Sequence, residues 1–169
     1  MRDDSRGAVL IEFALVYPVF LILVFTTAEY SYYLFKRNFA KHVLYETSRT
    51  IQTGEIQFAD DPEAIFQLTY CEFANVLLDC NKVFFDVRSY AELSDATFPA
   101  ATFSAAGHPT NFVFEPGDSE EITVMRVSTP HEFVTPWMRT AFQADGAPAI
   151  VIGYTIVKNE PFGCTQSCD

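Results

Sequence analysis

Residues 8–28, AVLIEFALVYPVFLILVFTTA, constrain this chain more than any other stretch: 17 of these 21 residues are apolar. A helix needs about 20 apolar residues to cross roughly 30 Å of hydrocarbon, and a buried core strand is far shorter. No comparable run occurs elsewhere in the sequence, so a single membrane span is the natural reading. Two residues interrupt it. Glu12 is costly in hydrocarbon unless protonated, paired or near the headgroups, and it lies about 6 Å along a helix from Ala8. It reads either as an interfacial residue marking the start of the span or as a charge awaiting a partner on another subunit. Pro18 removes one backbone donor and is expected to bend the helix, a feature that membrane helices tolerate.

Charge divides the chain at the same end. Residues 1–50 carry six bases and five acids, a net of +1, whereas the other 119 residues carry five bases and 17 acids, a net of -12. The first part suits a lipid bilayer and the second must face water. Such an acidic body argues against a nucleic-acid partner, and 17 Phe with 8 Tyr argue against disorder. Arg2 and Arg6 are offset by Asp3 and Asp4, so flanking charge gives weak guidance on orientation.

Beyond the span the sequence has no Gly or Pro until Gly54. Tyr32, Phe35, Phe39 and Val43 recur at three- and four-residue spacing, with Lys36, Arg37 and Lys41 on other faces, which predicts an amphipathic helix continuing the span. As one rod, residues 8–50 would reach about 65 Å, twice what a bilayer needs. The projecting part would pack its aromatic stripe on the body or on another subunit.

In the body, Asp60, Asp61 and Pro62 mark a helix start. Ile65, Phe66, Phe73, Val76 and Leu77 give that helix an apolar side to about Leu78. Val83, Phe85 and Val87 alternate with Phe84, Asp86 and Arg88, a strand signal over residues 82–90. Residues 121–128 and 149–158 read as two more strands, and residues 133–142 as a helical stretch broken up by prolines. Residues 94–120, rich in Ala, Thr, Ser, Pro and Gly, read as a long surface loop. The expected fold is α+β, a long transmembrane-plus-amphipathic N-terminal helix laid on a small extracytoplasmic antiparallel sheet.

The four cysteines, Cys71, Cys80, Cys164 and Cys168, suggest disulfides and an oxidising compartment. Three pairings are open. Within one helix Cys71 and Cys80 would lie about 13 Å apart, beyond bonding reach, so their pairing requires the helix to end by about Leu78. Local pairing is slightly favoured over crossed pairings that would tie the tail to the helix region. No catalytic constellation emerges. His42, His108 and His131 are well separated, Ser104 and Ser128 lack a nucleophile-elbow context, and no Gly-rich phosphate loop occurs. Asp60-Asp61-x-Glu63 reads as helix capping and Asp118-x-Glu120-Glu121 as a solvated turn. No cofactor, metal ligand set or enzymatic activity is expected.

Ser5-Arg6-Gly7 followed by Ala-Val-Leu-Ile-Glu12-Phe13 and a long apolar run resembles the processing site of type IV prepilins. With the continuation Ala-Leu-Val-Tyr-Pro18, it is most similar to the TadE-like proteins of the Tad (tight adherence) pilus system. Lys158-Asn159-Glu160-Pro161-Phe162 adds a second, weaker likeness. The resemblance implies a leader at residues 1–7, a span at 8–28, its amphipathic extension at 29–53 and an acidic extracytoplasmic domain at 54–169. It implies cleavage between Gly7 and Ala8 by a prepilin peptidase. Glu12 would then be the fifth mature residue, facing the new N-terminal amine of a neighbouring subunit, and with Phe13 and Pro18 would set helix register. An ammonium and a carboxylate together offset part of the cost of placing each in low dielectric.

The implied partners are other pilins or pseudopilins, the inner-membrane pilus assembly machinery and the lipid bilayer. The implied location is the bacterial inner membrane or a pilus, with the C-terminal domain outside the cytoplasm. Two departures stand out: the leader lacks a dense basic cluster, and the body is much larger than that of the small Tad major pilins, which favours a minor or pseudopilin role. The rival reading is an ordinary secretory signal cut before Glu29, or a signal-anchored binding domain independent of any pilus.

Overall fold

A computed structural model of the chain describes residues 5–143 and 147–162. Helix α1 runs unbroken over 48 residues, Ser5–Gln52, and passes through Pro18 without interruption; at 1.5 Å per residue it is about 72 Å long. Gly54 ends it. The Gly54 N–H donates to the Ile51 carbonyl and the Glu55 N–H to the Thr50 carbonyl, each at 3.1 Å, with Gly54 at φ +79°. This paired closure satisfies the last orphan carbonyls and requires a left-handed residue that glycine adopts without strain.

Helix α2, Pro62–Ala74, begins as the sequence suggests. The Asp61 carboxylate accepts the Ala64 N–H at 3.0 Å and Pro62 occupies the first turn. It ends earlier than the apolar spacing indicates, because the Leu77 and Leu78 N–H groups both turn back to the Ala74 carbonyl. That early turn brings the Cys71 and Cys80 Cα atoms to 5.9 Å, and the two form a disulfide. Cys164 and Cys168 lie outside the described residues.

Strands β1 (Phe84–Tyr90), β2 (Ile122–His131) and β3 (Ala149–Lys158) form one antiparallel sheet in the order β1-β2-β3. Short helix α3, Pro136–Phe142, sits between β2 and β3 and begins at the proline, three residues later than expected from sequence. The long N-terminal helix on a small antiparallel sheet is a pilin-like α+β arrangement.

Side chains alternate across a sheet, and the two faces of this one are covered differently. On one face Phe85, Val87, Met125, Val127 and Val151 pack with Leu44 and Ile51 of α1 and with Phe66 and Tyr70 of α2. The Tyr70 hydroxyl donates to the Ala40 carbonyl at 3.2 Å, and burial pushes its phenol well above the usual range. Gly153 sets the spacing of α1 against β3. A Cβ there would lie 3.1 Å from both the Lys41 Cα and the Val127 Cγ1, so the absent side chain lets the helix backbone rest on the strand.

The opposite face is roofed by the segment expected to be a mere surface loop. Asp86, fully buried, accepts hydrogen bonds from the Arg88 Nε at 3.0 Å, the Val113 N–H at 3.1 Å and the Arg126 guanidinium. Arg126 also donates to the Pro99 carbonyl at 3.1 Å. Its guanidinium lies between the rings of Phe98 and Phe112, at 4.4 and 4.6 Å from their centroids. The correction has a physical reason: a cross-strand Asp–Arg pair is buried only if something closes over it, and residues 98–113 do so. The same segment shields the outer edge of β1, where Val87 exchanges hydrogen bonds with the Val113 carbonyl at 2.8 Å and the Glu115 N–H at 2.9 Å.

Candidate assembly site

The N-terminal half of α1 stands clear of the body. Its most apolar 18-residue window is wholly uncovered, and the helix is long and apolar enough to cross a membrane. Large apolar side chains from Val9 to Phe25 are exposed around the helix. Polar groups in this stretch are handled internally: the Thr27 hydroxyl donates to the Leu23 carbonyl at 2.8 Å, which a hydrocarbon surrounding demands.

Gly7 lies inside the first turns of α1, and a Cβ built on it meets nothing within 4 Å. Glycine lowers helix stability by about 1 kcal/mol relative to alanine, and neither a close approach nor a turn calls for it here. The Gly7–Ala8 peptide bond is part of this open stretch. Glu12 and Pro18 are exposed, and Phe13 stacks on Tyr17 with centroids 5.1 Å apart. Gly7, Glu12, Phe13 and Pro18 thus all lie on the part of the helix that the described residues of the body leave uncovered.

The C-terminal half of α1 is packed, along a stripe rotated from the one the aromatics suggest. Val43 is buried and Phe39 partly so, but Tyr32 is 47% and Phe35 58% exposed. The buried residues are Ala40, Val43, Leu44, Thr47, Ser48 and Ile51. These small and medium side chains repeat at helical spacing, and they win the sheet-facing position because the backbone approaches Gly153 too closely for an aromatic ring. The Asn159–Phe162 stretch closes on the far end of this helix. The Glu160 N–H donates to the Gln52 carbonyl at 2.8 Å, a Cβ on Gly54 would collide with the Phe162 ring, and buried Asn159 bonds the carbonyls of Pro116 and Asp118.

Between the two halves lies a clamp that sequence reasoning missed. Glu29, the first acid after the apolar run, accepts hydrogen bonds from the backbone N–H groups of Val134 and Thr135 and from the Thr135 hydroxyl. Trp137 Nε1 donates to the Thr26 hydroxyl at 2.7 Å. Desolvation by itself would raise the Glu29 pKa, but the hydrogen bonds from Thr135 and Val134, with His131 nearby, hold it below the usual carboxylate value. Two turns further, Lys36 Nζ donates to the Pro130 carbonyl at 3.2 Å, and burial lowers its pKa. The His131 ring is buried among Tyr32, Tyr33 and Phe133. An acid placed directly after an apolar run was the available signal, although its partners, more than a hundred residues away, were not.

No group of three or more His, Cys, Asp or Glu side chains among the described residues is placed to hold a metal ion. No curated protein and no solved structure matches the chain significantly. Residues 7–49 match the model of a family described as TadE-like protein, an interval that opens on Gly7 and stops three residues short of the end of α1. The N-terminal region of this chain, and with it most of α1, is thus similar to the TadE-like family.

Proposed function

We propose that this chain is a minor pilin or pseudopilin of a Tad-type pilus and that it works through helix packing rather than catalysis. The observation that carries the reading is the coincidence of the TadE-like match with α1, whose most apolar window is left uncovered by the described residues of the body. In this reading residues 1–7 are a leader removed between Gly7 and Ala8. Residues 8–28 hold the chain in the bacterial inner membrane, residues 29–53 extend the helix, and residues 54–169 lie outside the cytoplasm. The partners are a prepilin peptidase, other pilins or pseudopilins and the inner-membrane assembly machinery.

Glu12 has a defined task here. Its carboxylate pairs with the amine that cleavage creates on a neighbouring subunit, and because an unpaired charge in low dielectric is costly, the pair selects one axial register between packed helices. The clamp at Glu29 argues for retention of the span. Cleavage before Glu29, as for a secretory signal, would discard Thr26 and with it the partner of Trp137.

The mature N-terminus tests the reading directly. Mass spectrometry of the membrane fraction should find Ala8 at the N-terminus, and a bulky residue at Gly7 should block processing without disturbing the body. Glu12→Ala should insert and fold normally yet lose co-purification with pilus partners. An N-terminus at Met1 or Glu29, or normal piliation by the Glu12 variant, would overturn the corresponding step.

A further inference from the structure

The clamp fixes more than the angle between helix and body. Trp137 bonds Thr26, two residues before the end of the apolar run, and Val134 and Thr135 bond Glu29, the first residue beyond it. Residues 134–137 therefore lie level with α1 residues 26–29, a slice about 5 Å thick along the helix axis. Where α1 crosses a bilayer, that slice is the boundary between hydrocarbon and headgroups.

The side chains presented there are those of an interface. Val134 is 81%, Trp137 39% and Phe142 54% exposed. Phe142 stacks on Tyr30 of α1, itself exposed, with centroids 6.3 Å apart. The inward side of α3 is occupied by buried Met138, so the outward apolar side chains are surplus to the core. Trp137 and Phe142 meet α1 at Thr26 and Tyr30, directly after the exposed apolar residues Val24 and Phe25 in the chain, so the apolar surface of the segment joins α1 at the end of its apolar run. Tryptophan and tyrosine favour this depth because an apolar ring and a polar N–H or O–H are each satisfied there.

The geometry points to residues 134–142 as a membrane seat: the body rests its Val134, Trp137 and Phe142 side chains in the headgroup layer of the bilayer that α1 crosses. Lipid is then a partner of the folded body as well as of the helix, and it holds the body at a fixed height and tilt. The inference requires α1 to span the bilayer but is independent of pilus assembly.

Trp137 is the only tryptophan in the chain, so intrinsic fluorescence reads this site alone. The full chain is reconstituted into phosphatidylcholine vesicles, and flotation separately confirms insertion through α1. Lipids brominated near the headgroup end of the acyl chain should quench Trp137 more than lipids brominated near the chain terminus, and aqueous iodide should quench it little. Val134→Glu, at a largely exposed side chain, should reduce the bromolipid quenching severalfold while flotation stays unchanged. Strong iodide quenching with no bromolipid quenching would overturn the seat. A second copy of the chain, instead of lipid, would be indicated if bromolipid quenching were absent at high protein density and iodide protection vanished on dilution with excess lipid.

Discussion

The two halves of α1 are one continuous helix, yet they follow different rules of composition. From Val9 to Phe25 the helix presents large apolar side chains on its exposed surface, and among the described residues its most apolar window is left uncovered. From Ala40 to Ile51 it buries a narrow stripe of Ala, Val, Leu, Thr, Ser and Ile and leaves its aromatic residues outside. The first half suits a solvent of lipid tails, where all-round hydrophobicity is needed and specific contacts come from partners. The second half is shaped by one neighbour, the sheet, which it meets at backbone distance over Gly153. An aromatic side chain therefore means different things in the two halves: surplus apolar surface in the first, and a side chain turned away from the tightest contact in the second.

If the halves are independent, damage to the body should leave membrane insertion untouched. Asp86→Ala should give the largest effect, because it strands Arg126 without its carboxylate in a fully buried site; removing one partner of such a pair costs about 3–5 kcal/mol. Denaturant unfolding of the full chain in detergent, followed by near-ultraviolet circular dichroism, should show this loss, while resistance to alkaline extraction from membranes remains at the wild-type level. Release of the variant from membranes would break the comparison. Reducing the Cys71–Cys80 disulfide comes next. Constraining a loop of this length contributes roughly 2–3 kcal/mol, so a Cys71→Ser/Cys80→Ser double variant should lose about that much in the same assay. Reductant should then have little further effect on it.

The sequence revealed α1, α2 and the three strands because each carries its own local signal: an apolar run of membrane length, an Asp-Pro start, and period-two alternation. What it concealed depended on contacts between distant segments. Asp86, Arg88 and Arg126 occupy the positions of their strands where alternation normally places solvent-facing residues. Nothing local distinguishes a solvated charge from one roofed by Phe98 and Phe112. The sheet-facing stripe of α1 was hidden for a related reason: of the aromatic-stripe positions Val43 is buried and Phe39 partly so, while the close approach at Gly153 adds Ala40 and Leu44, which hydrophobicity alone does not single out. The roles proposed for Gly7, Glu12 and Phe13 concern cleavage and other subunits, and so depend on order along the chain rather than on this fold.

The smallest effect concerns the joint between the halves. His131 is buried against α1, and burial first, then the neighbouring Lys36, lower its pKa below the ordinary 6.5, with Glu29 and Glu132 acting in the opposite sense. The folded state thus prefers the neutral ring. Its contribution to stability is complete above about pH 6.5 and declines as the pH falls below that value through the folded pKa, because only the unfolded chain takes up the proton readily. Glu29, also lowered, keeps its contribution until the pH falls below its ordinary 4.5 and through its own folded value, so its loss begins at a lower pH than that of His131. Between pH 7.5 and 5, the melting temperature of the full chain in detergent should fall for the wild type and stay nearly level for His131→Phe, which fills the same aromatic surroundings without titrating. An equal slope in both would remove His131 as the source. Bromolipid quenching of Trp137 across the same range would then show whether the joint loosens before the body unfolds or only together with it.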